Sequence, residues 1–357
     1  MQARRTYYYQ QIYEALKCDI TSGDKQEGDL LPSENQIAQQ YGVDRSTVRK
    51  ALKMLVGDGL VEKIPGKGTV ILEPPAADDR VDDAGAYRNV GFLLPSGNAI
   101  TQLFYSTLFC VLEQEFKRYN LSLIYITFDA QDNLATVISE YSLDAILFVS
   151  NTAENQIGDA LEIGIPCALV NSYDARVPSI LSDNERGAYL AGKCLLENGH
   201  RHPIVLSGVR SYVCSAERIE GFRRAYAEAG IAIPESDILP GDSWEQEAGA
   251  NAIRRYLENV SKPATAIFAL NDRLACGAVR AIHQAGLRVP QDISVIGFDN
   301  LDGQMLIDPL TSIEAHVDLI AESAAQALIW QLNGGRRLPV RINAPTELVP
   351  GKSVRRI

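Results

Sequence analysis

From Asn89 onward the chain alternates short apolar runs with longer amphipathic stretches, and few folds accommodate that alternation. The runs are "VGFLL", "LSLIYI", "AILFV", "CALV", "PIVLSG", "TAIFAL" and "ISVIGF". Between them lie "FCVLEQEFKRY", "AYLAGKCLLENG", "AERIEGFRRAYAEAG" and "LACGAVRAIHQAG", whose apolar positions follow a helical period. Strand, helix, strand in this order predicts parallel sheets with right-handed crossovers. Residues 89–357 are too many for one ordinary sheet, so two similar α/β subdomains are expected. Binding sites in such folds lie at the carboxyl ends of the strands, here the cleft between the subdomains.

The first 73 residues read differently. Ile12, Leu16 and Ile20, with Tyr9 and Tyr13 beside them, predict a helix ending near Ser22-Gly23. "LPSENQIAQQYG" starts a second helix with Ser33 as cap and Gln36 closing a capping box. Asp44 caps a third, whose buried stripe is Val48, Ala51, Leu52 and Leu55. "GLVEKI", the turn "PGKG" and "TVIL" then predict a hairpin. Residues 74–88, "PPAADDRVDDAGAYR", carry no apolar period and read as a linker. The expected organisation is a module at 1–73, a linker at 74–88 and a body at 89–357.

Charge sharpens the division. The chain has 34 Lys+Arg and 45 Asp+Glu, a net charge of −11. Residues 1–73 hold ten of each sign, so the whole negative excess lies behind them. Within 41–72 the basic residues outnumber the acidic six to three. A local positive field ahead of an acidic body points to a small polyanion-binding module. The stripe on the third helix leaves Arg45, Ser46, Arg49, Lys50 and Lys53 outward. Arginine on such a face can make two hydrogen bonds to one guanine. Gly66 and Gly68 allow a tight hairpin turn with Lys67 at its tip.

"LPSENQIAQQYGVDRSTVRKALKMLVGDGLVEKIPGKGTVI" resembles the winged helix-turn-helix of the GntR family of bacterial repressors. The resemblance implies that Arg45 and Arg49 read bases and that Ser46 and Thr47 assist. It places Ser33 and Glu34 near the DNA backbone and the Gly66–Gly68 tip in the minor groove. Asp44 stands where the family more often has Ser, and is not counted as a contact.

The body resembles the effector domain of the LacI/GalR repressors, which shares its fold with periplasmic sugar-binding proteins. The segments that carry this are "SDNERGAYLAGKCLLENGHRHPIVLSG", "SAERIEGFRRAYAEAGI", "AIFALNDRLACGAVRAIHQAGLRVPQDISVIGFDN" and "DPLTSIEAHV". The implied fold is α/β: an N-terminal winged helix-turn-helix plus a periplasmic-binding-protein-like effector domain of two parallel α/β subdomains. This combination resembles the arabinose-repressor type of the GntR family. A sugar site needs fork-like donors, carboxylate acceptors and an aromatic face. Arg218 after a loop, Asn271 and Asp299 at strand ends and Trp244 in a loop supply these, and the resemblance places them at effector-contact positions. Tyr212 and Cys214 precede Arg218. Ser96, Gln102 and Phe104 follow the first strand. Other roles are open to several of these: Asp299 as a turn starter, Asn271 or Asp272 as a helix cap, Trp244 as packing, Arg218 as partner of Glu217 or Glu220. Asn171 stands where the family often has Asp.

The expected function is a sequence-specific DNA-binding regulator, a repressor released by a sugar, with L-arabinose the first guess. A homodimer on a palindromic operator is expected, with "LFYSTLFCVLEQEF" contributing to the interface. The alternative is a sugar-binding or sugar-processing protein for which DNA contact is secondary. No catalytic residue, cofactor or metal site is expected. "PGKGT" lacks the spacing of a phosphate loop, and His200 and His202 have no third ligand, so surface and capping roles are expected for them. The six cysteines, at 18, 110, 167, 194, 214 and 276, show no paired spacing and read as thiols. Neither a signal peptide nor a membrane span is read, so a cytoplasmic location is expected. Sequence leaves the effector, the sign of its effect and the operator open.

Overall fold

The computed structural model describes residues 12, 13, 16, 29–41, 43–57, 61–64, 68–71, 88–98, 100–261, 263–306 and 308–357. The chain divides into two compact units, residues 1–86 and 87–357. The first-helix reading is met only at Ile12, Tyr13 and Leu16, all helical and buried. The rest of that helix, the 65–67 turn, Cys18 and linker residues 74–87 lie outside the described residues.

In the first unit, α1 (Glu34–Tyr41) and α2 (Arg45–Gly57) precede a hairpin of β1 (Val61–Ile64) and β2 (Gly68–Ile71). The capping box is present: the Ser33 amide donates to Gln36 Oε1 at 2.8 Å and the Gln36 amide to Ser33 Oγ at 3.3 Å. Asp44 caps α2 by accepting the Thr47 amide at 2.9 Å. Val48, Ala51, Leu52 and Leu55 are buried against Ile12, Leu16 and Ile37. One pairing was not read from sequence. The Leu31 amide donates to Thr69 and the Ile71 amide to Asp29, so residues 29–31 run antiparallel along β2.

The second unit has two six-stranded sheets. One holds β3 (Arg88–Leu94), β4 (Leu121–Thr127), β5 (Leu143–Val149), β6 (Cys167–Val170), β7 (Ser179–Ser182) and β13 (Arg341–Ala344). Their order is β13-β7-β6-β5-β3-β4, parallel throughout. β3 begins at Arg88, the last residue assigned to the linker from sequence. The other holds β8 (Ile204–Ser207), β9 (Ile238–Pro240), β10 (Ala266–Ala269), β11 (Ser294–Asp299), β12 (Thr311–Glu314) and β14 (Glu347–Val349). Its order is β14-β12-β11-β10-β8-β9, antiparallel only between β12 and β14. Most of these strands are buried on both faces, as a continuous apolar run requires.

Helices α3 (Leu103–Lys117), α4 (Leu134–Tyr141), α5 (Glu154–Ile163) and α10 (Val317–Leu332) belong to the first sheet. Helices α6 (Asn184–Glu197), α7 (Val213–Glu228), α8 (Gln246–Asn259) and α9 (Asp272–Gln284) belong to the second. The chain therefore crosses between subdomains three times: after β7, after β12 and after β13. The crossings are stitched together. The Asp183 amide donates to the Ala344 carbonyl at 2.8 Å, and Thr346 Oγ1 donates to the Asp183 carbonyl at 3.2 Å.

His200 departs from its expected surface or capping role. It is fully buried, with Nδ1 2.9 Å from Thr265 Oγ1 and Nε2 3.0 Å from the Arg355 carbonyl. Burial pushes its pKa down, which keeps the ring neutral as a linker between two chain segments. His202 is exposed.

Close helix pairing rests on glycine. A Cβ at Gly277 of α9 would run into the Gln246 carbonyl of α8, so the two helices touch backbone to backbone. Gly277→Ala is expected to destabilise the second unit by about 1–3 kcal/mol, the usual overpacking cost, as read by urea denaturation.

Candidate effector site and DNA-contact face

The carboxyl ends of both sheets meet around a cavity of about 50 Å³. Gln102, Phe104, Tyr105, Ser150 and Asn171 line it from the first subdomain. Tyr212, Cys214, Arg218, Trp244, Asn271, Arg273, Asp299 and Asp302 line it from the second. Three of these, Ser150 and Asn171 directly after β5 and β6 and Asp299 at the end of β11, have φ of +71°, +56° and +99°. Such conformations are costly for residues with a Cβ and concentrate at binding sites.

Arg218 organises the second-subdomain wall. It is almost fully buried on the second turn of α7. Nε donates to Asn184 Oδ1 at 2.9 Å, and Nη1 donates to the Leu270 carbonyl. Nη2 stands 3.6 Å from Asp299 Oδ1, and the guanidinium plane covers the Phe298 ring at 3.6 Å. Glu217 instead pairs with Arg341 of β13 at 2.5 Å, a contact between subdomains beside the hinge.

Asp299 leaves 14% of its side chain exposed, and it lines the cavity. Burial pushes its pKa up to about 8, against the pull of Arg218, with Asp272 and Asp302 adding to the rise. Asp272 is buried behind it. It accepts the Leu301 and Gly303 amides at 2.9 and 3.1 Å and the Ser312 hydroxyl at 2.6 Å. These bonds hold the loop that carries Asp299 and Asp302, and burial raises the Asp272 pKa to about 6. Asn271 caps α9 through the Leu274 amide at 2.8 Å while its Nδ2 donates to the Trp244 carbonyl at 3.2 Å. It thus serves as a cap and lines the cavity at once.

Trp244 rests on Gly208, where a Cβ would lie 2.6 Å from the indole, and its ring meets Tyr212 at 5.7 Å between centroids. Its Nε1 is the one buried side-chain nitrogen or oxygen among the described residues with no hydrogen-bond partner. An unsatisfied buried donor is expensive, and a ligand acceptor would satisfy it. Gln102 Nε2 donates across the cleft to Glu245 Oε1. Glu245 Oε2 accepts from Arg273 Nε at 3.1 Å, and Arg273 Nη1 reaches Asp302 Oδ1 at 3.4 Å. Cys214 is buried, and burial raises its thiol pKa.

Of the nine residues expected here from sequence, Gln102, Phe104, Tyr212, Cys214, Arg218, Trp244, Asn271 and Asp299 share the one cavity. Ser96 does not line it. It is exposed, its amide bonded to Asp129 Oδ1 at 2.8 Å, because the 95–98 turn carries it outward. Sequence reading missed Tyr105, Ser150, Arg273 and Asp302, and noted Asn171 only as a departure from the family pattern. Ser150 and Asn171 directly follow strands, and the rule that found Asp299 would have found them.

In the first unit, Arg45 and Arg49 are more than half exposed on α2. Both reach back to Glu34 Oε2, at 3.3 and 2.9 Å, while Lys63 of β1 holds Oε1 at 2.6 Å. The Lys63 hydrogen bond, with help from both arginines, brings the Glu34 pKa down to about 2. Glu34 thereby positions the arginines. The Ser33 hydroxyl is engaged with Gln36 and the Thr47 hydroxyl with Asp44. Lys50 is exposed on α2, and Gly68 has φ of +119° where β2 starts. Gly66, Lys67 and the Ser46 side chain lie outside the described residues.

Two mainly parallel sheets joined by three crossings around a polar cleft make a periplasmic-binding-protein-like fold. Residues 193–354 match the periplasmic binding protein-like domain, and residues 8–71 match the bacterial regulatory proteins of the gntR family. The chain thus joins a segment matching the gntR-family regulatory domain to one matching the periplasmic binding protein-like domain. The HTH-type transcriptional repressor PurR of Vibrio vulnificus (strain CMCP6) is 27% identical over 332 residues, 90% of this chain and 98% of that protein. The protein of the same name from Aliivibrio fischeri (strain MJ11) is 33% identical over 210 residues, 57% of this chain and 62% of that one. A LacI family transcriptional regulator from Enterococcus faecium, solved with bound ribose, aligns with a TM-score of 0.68 and 25% identity, covering 76% of this chain and all of that one.

Among the described residues no helix is long and apolar enough to cross a membrane, and no cluster of three His, Cys, Asp or Glu side chains could hold a metal. The described cysteines are free thiols.

The raised pKa of Asp299 has a defined sign in stability. The folded state holds its proton more tightly than the unfolded chain, so its contribution is full below the ordinary carboxylate range. It is lost as pH rises through about 8. The Asp299 carboxyl carbon is expected to titrate near pH 8 by NMR, and Asp299→Asn to flatten the stability curve between about pH 4, the ordinary aspartate value, and that midpoint.

Proposed function

We propose that this protein is a transcriptional repressor whose hold on operator DNA is set by a sugar bound between the two subdomains. The observation that carries this is the cavity itself. A guanidinium fork whose Nη2 makes no hydrogen bond, an acid beside it, an amide and an indole with an unpaired donor converge there, in a chain that also carries a GntR-type module. Polyhydroxylated rings need this mixture of donors, acceptors and apolar face. The pentoses are the first candidates. L-arabinose is suggested by the pairing of the two domains, ribose by the ligand of the Enterococcus faecium regulator.

In this reading residues 1–73 bind DNA, 74–88 connect, and 89–357 sense the sugar and pair two copies, matching a twofold operator. The three crossings let the subdomains open for ligand entry and close on it. A sugar that prefers the subdomain arrangement poor in DNA binding lowers operator affinity by its differential affinity alone. The place of action is the cytoplasm, where the operator is. No step of covalent chemistry is assigned to the site.

Two substitutions test the two halves separately. Arg45→Ala with Arg49→Ala is expected to abolish sequence-specific DNA binding in a gel-shift titration while sugar binding and thermal midpoint stay unchanged. Specific binding by the double variant would refute the role given to α2. Asp299→Ala is expected to weaken the sugar response by more than tenfold, about 1.4 kcal/mol, the loss of a buried hydrogen-bond partner. A dose–response curve for operator release that does not move would remove Asp299 from the contact set.

A further inference from the structure

We infer that the cavity selects uncharged ligands: a free sugar is bound and its phosphate ester is rejected. The inference deepens the sugar-sensing reading and rests on it. Sites for phosphate present arginine forks or lysines whose donors are unspent. Here each guanidinium already has a carboxylate beside it, Asp299 for Arg218 and Glu245 with Asp302 for Arg273, and only the Arg218 Nη2 edge makes no hydrogen bond. Arg218 gives Nε to Asn184, Nη1 to the Leu270 carbonyl, faces Asp299 with Nη2, and covers Phe298 with its plane. Arg273 gives Nε and Nη2 to Glu245 and Nη1 to Asp302.

The charges around the cavity are then two arginines against Asp299, Asp302 and Glu245. With Asp299 ionised the acids are in excess; with it protonated the two signs balance. In neither state is there spare positive charge. The N-termini of α3 and α7 open on the cavity through Gln102 and Tyr212, neither of which makes a side-chain cap. Each brings about half a unit of positive charge. That leaves the wall at about zero with Asp299 ionised and about one positive charge with it protonated, short of balancing a phosphate monoester close to −2.

Placement adds to the count. Asp299 and Asp302 lie on one loop across from the first-subdomain wall, and the Gln102–Glu245 bond spans the cleft. A phosphate against the second-subdomain wall would meet an acid, or would have to strip an arginine from its partner. The buried donor without a partner, Trp244 Nε1, is neutral and suits a hydroxyl or ring oxygen.

The test is isothermal titration of the full chain with matched pairs: L-arabinose and arabinose 5-phosphate, ribose and ribose 5-phosphate, glucose and glucose 6-phosphate, adenosine and AMP. The member without phosphate is expected to bind at least tenfold more tightly in whichever pair binds. Asp302→Asn, which removes one acid, is expected to narrow that gap. A phosphate ester that binds as well as or better than its parent overturns the inference and leaves sugar sensing intact. Adenosine binding without AMP, and without any sugar, sinks sugar sensing but keeps the charge selectivity. Silence in every pair overturns both.

Discussion

Burying a guanidinium is tolerable only when its charge and donors are compensated, and Arg218 is held by four different partners. An amide, a backbone carbonyl, a carboxylate and an aromatic ring come from α6, the end of β10 and the end of β11. These partners come from three elements besides its own, so the arginine registers α6, α7, β10 and β11 against one another. The same contacts shape the floor of the cleft. Asn184 extends the chain outward, donating to Glu217 Oε2 at 3.0 Å, and Glu217 reaches Arg341 of the other subdomain. A single line of polar contacts thus runs from the cavity wall to the far side of the hinge.

The first unit uses one acid in a comparable way. Glu34, which opens α1, gathers two arginines from α2 and a lysine from β1. Without a counter-charge, three cations on neighbouring elements would repel one another. With it they form a fixed positive surface whose guanidinium groups remain more than half exposed. Shared ion pairs at a surface add little stability, so geometry is the better account of their presence.

Much of this was legible because strand ends are easy to find. A run such as "VIGFD" or "AIFALND" marks where a parallel strand stops, and loops at that edge converge whatever their sequence. That is why Arg218, Asn271, Trp244 and Asp299 could be placed together without coordinates. Arg273 and Asp302 carried no such mark. They reach the cavity through their pairing with Glu245 and with each other, which depends on side-chain reach. Ser96 failed for the opposite reason, since it follows a strand end but its turn points it outward. Glu34 is another limit. Its partners lie 11, 15 and 29 positions away, and nothing in local pattern joins them. His200 was read from its neighbours as superficial, yet it seals a contact with Thr265 and Arg355, both far along the chain.

The order of the strands has a consequence for how the chain is made. β13 closes the edge of the first sheet and β14 the edge of the second, and both come from residues 341–349. During synthesis neither sheet has its full set of strands until those nine residues have left the ribosome. Until then β7 and β12 are open edges, able to pair with other nascent chains. The two halves, joined by three crossings, also cannot be separated by a single cut. The second unit is therefore one unit of translation as well as one unit of structure.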